Sequence, residues 1–158
     1  MHSKPLIGIN ADFRSAQGKQ PSFSVVTSGY YDSIVEAGGI PVIVPPMTDE
    51  NDIAAVLDRL DGFVMIGGAD LDPRLDGFML HPTVRPMDRR RECYDRKLMQ
   101  LIVDRKMPVF GIGVGMQLLN VTLGGNLFFH LPEDVPACLL YTSPSPRDQR
   151  GSRMPSSA

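Results

Sequence analysis

Pro108-Val109-Phe110-Gly111-Ile112-Gly113-Val114-Gly115-Met116-Gln117-Leu118-Leu119-Asn120-Val121 carries the strongest structural signal in the chain. A short apolar run enters a turn with glycine at every second position. A helical pattern leaves it and stops at Gly124-Gly125. This is the layout of a nucleophile elbow, G-x-Nuc-x-G, in which small flanking residues let a strand reverse sharply into a helix. The central position holds Gly113, which has no side chain to act with.

The same alternation recurs along the rest of the chain. Pro5–Ile9, Pro41–Val44 and Gly62–Ile66 read as short buried strands. The spacing predicts helices over Val25–Ala37, Asn51–Leu60, Arg89–Lys106 and Gly115–Leu123, with Pro108–Ile112 as the fourth strand. Strands alternating with helices define an α/β protein with a parallel sheet. A long irregular segment, Ala69 to Asp88, carries Pro73, Pro82 and Pro86. Loops of this length in compact domains are often functional. Met79, Met87, Met99 and Met116 are expected to pack inward.

The chain has 158 residues and a formal net charge of −2 from 16 basic and 18 acidic residues, which argues against a nucleic-acid binder acting through bulk charge. No apolar run reaches the roughly 18 residues of a membrane span. No signal-peptide pattern precedes Pro5, so the expected address is cytoplasmic. Cys93 and Cys138 form neither a disulfide framework nor a metal cluster. His81 and His130 have no ligand-spaced partner, so no metal and no cofactor are expected. The expected ligand is a small molecule.

From Cys138 the composition changes. Cys138-Leu139-Leu140-Tyr141-Thr142-Ser143-Pro144-Ser145-Pro146-Arg147-Asp148 resembles a translated sequencing adapter, the transposase end. Ser152-Arg153-Met154-Pro155-Ser156-Ser157-Ala158 resembles its continuation, with Gln149-Arg150-Gly151 where a variable index would sit. A natural disordered tail is the other reading; two matches in one frame favour the adapter. The expected organisation is residues 1–137 as the N-terminal part of a domain and 138–158 as an added tail.

Several pieces agree in order and spacing with one family: Glu36-Ala37-Gly38-Gly39-Ile40-Pro41, Leu60-Asp61-Gly62 with Gly67-Gly68-Ala69-Asp70, Arg91-Glu92, and the stretch from Pro108 to Val121 with Gly124-Gly125. Over residues 5–134 the chain resembles the class I glutamine amidotransferase-like superfamily, in its gamma-glutamyl-gamma-aminobutyrate hydrolase and gamma-glutamyl peptidase branch. The resemblance implies a flavodoxin-like three-layer sandwich, here broken off after the elbow helix. It also implies hydrolysis of gamma-glutamyl amide bonds by a Cys-His-Glu triad through a gamma-glutamyl-enzyme. Carried over by position, Gly67-Gly68 supplies the oxyanion turn, Gly68 and Val114 the N–H donors, and Gln117 helps hold the glutamyl group.

Two departures matter. Gly113 stands where the family has its nucleophile, and the family's His and Glu lie about a hundred residues further on. Losing the nucleophile of a triad costs on the order of 10⁶ in turnover, so inactivity is expected. A one-base misreading of a cysteine codon is the alternative. Cys93, beside Arg89, Arg90 and Arg91, could be an activated thiol, but the sequence places no oxyanion turn next to it. A dinucleotide loop would need G-x-G-x-x-G, and Met116 occupies its third glycine position. The run Arg89–Glu92 reads as a solvated helix start, with Arg91-Glu92 in a structural role. Loss of later strands is expected to leave an exposed sheet edge.

Overall fold

The computed structural model describes residues 3–135. The expected boundary at 137/138, Cys138 and the adapter-like tail lie outside them. Four parallel strands form the central sheet: β1 (Leu6–Asn10), β4 (Ile40–Val44), β5 (Gly62–Met65) and β6 (Val109–Gly111), in the order β4-β1-β5-β6. A two-stranded antiparallel ribbon, β2 (Asp12–Arg14) and β3 (Phe23–Val25), follows β1. The helices are α1 (Ser28–Glu36), α2 (Glu50–Leu57), α3 (Arg89–Asp104) and α4 (Val114–Thr122). A compact unit runs to Leu127; a second begins at Phe128 and contains the short helix α5 (Leu131–Asp134).

The sheet is covered on both faces, giving three layers. Phe63 and Met65 join Ile53, Leu57, Leu98, Ile102 and Leu118 in the larger apolar cluster. Ile9 and Ile66 pack with Ile34 of α1 in the smaller one, and Val64 lies against them. Strand residues alternate between the two clusters because successive side chains point to opposite faces. This is the flavodoxin-like architecture. β4 and β6 are its outer strands, and Phe110 on β6 is 65 % exposed.

Two expectations need correction. Val25 does not start α1, because Phe23–Val25 pairs with Asp12–Arg14. The turn that closes this ribbon is made by reciprocal Gln17–Gln20 hydrogen bonds, with Gly18 at φ +58°. Met87 and Met99 are buried, but Met79 is 91 % exposed and Met116 is also exposed. Met79 lies in the 69–88 segment rather than on a packed helix stripe, so no neighbouring element covers it.

That segment is tied down throughout. A 3-10 turn over Pro73–Asp76 is capped by Asp72, and Asp70 bridges to Arg85 and Met87 through backbone hydrogen bonds. The Glu92 carboxylate accepts from the Asp72 N–H at 3.0 Å, while Arg96 reaches both Glu92 and Asp76. Burial raises the Glu92 carboxyl above its ordinary range against these contacts.

Tyr94 sits in the larger cluster, its hydroxyl without a hydrogen-bond partner among the described residues. An unpaired buried hydroxyl carries a desolvation cost. Tyr94→Phe is therefore expected to stabilise the domain by about 1 kcal/mol. A lower urea midpoint in the variant would contradict this.

Candidate functional site

The carboxyl ends of β5 and β6 each release a glycine turn, where open parallel sheets bind ligands. After β6 the chain reverses at Gly113 and enters α4 directly. Gly113 has φ 55° and ψ −116°, outside the helical and extended regions that residues with side chains prefer. The three glycines of the turn differ in what they allow. A Cβ at Gly111 would lie 2.6 Å from the Met116 nitrogen, and one at Gly115 would lie 2.4 Å from the Met65 carbonyl oxygen. Both flanking positions have no room for a side chain. A Cβ at Gly113 would meet only the Gly67 Cα, at 3.7 Å. The turn thus has the shape of an elbow whose central residue can carry a side chain in space, at the cost of backbone strain. Such a side chain would point beside the β5 turn.

Of the positions singled out in the sequence, Gly67, Gly113 and Val114 are brought together by these two turns. Gly68 and Gly113 are exposed, Gly67 is half-buried, and Val114 opens α4. Gln117 lies one helical turn on, half-buried, and its N–H donates to the Gly113 carbonyl at 3.1 Å. The positive end of the α4 dipole faces the elbow.

The β5 turn is held from below by a charged cluster. The Arg91–Glu92 end of the basic run is buried rather than solvated; only Arg89 and Arg90 are exposed. Arg91 is fully buried. Its guanidinium donates to the Gly67 carbonyl at 2.9 Å, to Asp12 at 2.8 Å and to Asp95 at 3.2 Å. Asn10, also fully buried, donates to Asp95 at 2.9 Å and accepts from the Ile66 N–H at 2.8 Å. Arg91, Asp95, Leu98 and Ile102 share one stripe of α3, which is polar where it crosses the strand ends and apolar below. A Cβ at Gly68 would lie 2.2 Å from Arg91 Nη1, so a side chain there would displace the guanidinium from this cluster.

Asp95 and Asn10 were not legible as site residues in the sequence. The available signal was Asn10 closing an otherwise apolar strand. Burial pushes the Asp95 carboxyl up to about 6, against the pull of Arg91 and Asn10. The raised value means that the folded chain holds this proton when the unfolded chain has released it. Its contribution is therefore greatest at low pH and declines as pH rises from the unfolded value of 3.8 through about 6. Asp95→Asn removes that titration. The stability of the parent relative to the variant is expected to fall by about 2 kcal/mol from about pH 4 to about pH 7. Urea melts at both pH values check this; a difference that grows with pH contradicts it.

Cys93 is exposed. It lines a separate cleft of about 480 Å³ with Ser15, Met47, Arg89 and Lys97, to which neither glycine turn contributes. His81 Nδ1 lies 2.7 Å from the Thr83 hydroxyl, and His130 Nδ1 lies 3.1 Å from a Glu133 carboxylate oxygen. No helix among the described residues is long and apolar enough to cross a membrane.

The sequence profile of the Peptidase C26 family matches residues 5–153. The chain belongs to that family, among the glutamine amidotransferase-like proteins. A protein of Mycobacterium tuberculosis named as a glutamine amidotransferase is 36 % identical over 135 residues, covering 83 % of this chain and 44 % of its own. Protein NtpR of Enterococcus hirae is 30 % identical over 129 residues, covering 78 % and 53 %. Gamma-glutamyl-gamma-aminobutyrate hydrolase PuuD of Escherichia coli is 28 % identical over 106 residues, covering 66 % and 41 %. The chain spans about half the length of the curated relatives it matches.

Proposed function

We propose that this chain binds the carbonyl end of a gamma-glutamyl or related amino-acid ligand without cleaving it. The observation that carries the reading is Gly113: an elbow backbone at φ 55° and ψ −116° with no nucleophilic atom on it. The Gly68 and Val114 N–H groups are the donors in this reading, and Gln117 holds the glutamyl group. Donors aimed at a carbonyl oxygen stabilise developing negative charge. Without a thiolate, no carbon–sulfur bond forms and no gamma-glutamyl-enzyme accumulates. The relatives' named hydrolase and amidotransferase activities supply the ligand class.

The test pairs binding with turnover. Glutamate and gamma-glutamyl amides are expected to raise the thermal midpoint, NAD is expected to leave it unchanged, and no glutamate is released from the amides. No shift with any gamma-glutamyl compound refutes the binding reading. A second reading, an active hydrolase whose codon 113 has been misread, draws on the room that Gly113 leaves for a Cβ. Resequencing that codon decides between the two.

A further inference from the structure

We propose that Arg91 is the positioning residue of this site, orienting the Gly67–Gly68 peptide so that its N–H serves a bound carbonyl oxygen. The inference rests on the binding reading above and adds what makes that turn competent. A Gly-Gly turn has wide conformational freedom. A rotated Gly67–Gly68 peptide would present its carbonyl oxygen to the ligand and repel it. Arg91 Nη2 holds the Gly67 carbonyl at 2.9 Å and reaches the Ile66 carbonyl at 3.4 Å. The peptides of the described residues are all trans, so the C=O and N–H of one peptide point in opposite directions. With the Gly67 oxygen turned down onto Arg91, the Gly68 N–H points away from it.

The guanidinium is itself fixed. Asp12 takes one arm and Asp95 takes Nε, and Asn10 braces Asp95 while accepting the Ile66 N–H. Peptide groups on both sides of Ile66 are therefore held by one buried cluster. A lysine keeps the charge but has no planar fork to serve Gly67, Asp12 and Asp95 together.

The test uses the full chain with Gly113→Cys, for which the structure leaves room. Two reagents read the new thiol, with peptide mapping to separate it from Cys93 and Cys138. p-Nitrophenyl acetate acylates sulfur: the thiolate attacks the ester carbonyl, an oxyanion forms, a carbon–sulfur bond closes and p-nitrophenolate leaves. Iodoacetamide alkylates sulfur by displacing iodide, with no oxyanion. Adding Arg91→Lys is expected to slow acylation by on the order of 10²-fold, with alkylation changed less than about threefold. If both rates fall together, or neither does, the positioning role is overturned. Asp95→Asn, which keeps Arg91 but removes its buried anion, is expected to give a smaller selective loss. It serves as the second variant if Arg91→Lys does not fold; an unchanged acylation-to-alkylation ratio there also counts against the proposal. If the thiol introduced at 113 shows no higher ratio than Cys93 in the same molecule, the oxyanion reading of the turn fails, and the Arg91 proposal falls with it.

Discussion

Gly115→Ala is expected to abolish the cooperative unfolding transition or lower stability by more than about 3 kcal/mol. The added Cβ would stand 2.4 Å from the Met65 carbonyl oxygen and 2.7 Å from the Met65 Cβ. Met65 is fully buried on β5, so it has nowhere to move. Relief requires α4 to lift off the sheet, which opens the larger cluster at Val114 and Leu118. Gly113→Ala makes the internal comparison. It meets no close atom and adds only the strain of a side chain at φ 55°, about 1–3 kcal/mol. Urea melts of the two variants separate the mechanisms. Equal losses would mean that the flanking glycine is not sterically required.

The second large effect is expected at Arg91→Met, a loss of about 3–5 kcal/mol in urea unfolding at neutral pH. The replacement fills similar space but leaves Asp95 buried with no cation beside it, facing Asn10 alone. It also removes the donor to the Gly67 carbonyl. At acid pH Asp95 is protonated, so the loss should shrink. A loss under about 1 kcal/mol at neutral pH would place this pair with exposed salt bridges in strength.

What the sequence made legible follows from how local each signal is. The elbow could be read directly because the glycines at 111 and 115 answer to atoms a few residues away or on the adjacent strand. The four parallel strands were legible because Val42–Val44 and Phe63–Ile66 are continuously apolar; burial on both faces accounts for this in β5, whereas on the outer strand β4 Ile43 is 51 % exposed. The ribbon of β2 and β3 was missed because Val26, Tyr30, Ile34 and Ala37 fit a helical period that drew Val25 into the helix, and pairing with Asp12–Arg14 overrode it. The buried cluster was missed for a different reason. Arg91 sits in a run of three arginines, and only the fold reveals that it alone turns inward to meet Asn10, 81 positions earlier in the chain, through their shared partner Asp95. Likewise, Met116 looked like helix packing, but it lies on the exposed side of α4.

Binding of a gamma-glutamyl carbonyl by the two glycine turns can be followed residue by residue. The decisive experiment is an amide-resolved NMR titration of the ¹⁵N-labelled chain with gamma-glutamyl-gamma-aminobutyrate. Saturable shifts of the Gly68 and Val114 N–H signals are expected, with Gln117 responding and the ligand recovered uncleaved. Unmoved Gly68 and Val114 signals at millimolar ligand, or shifts confined to other parts of the sheet, would contradict it.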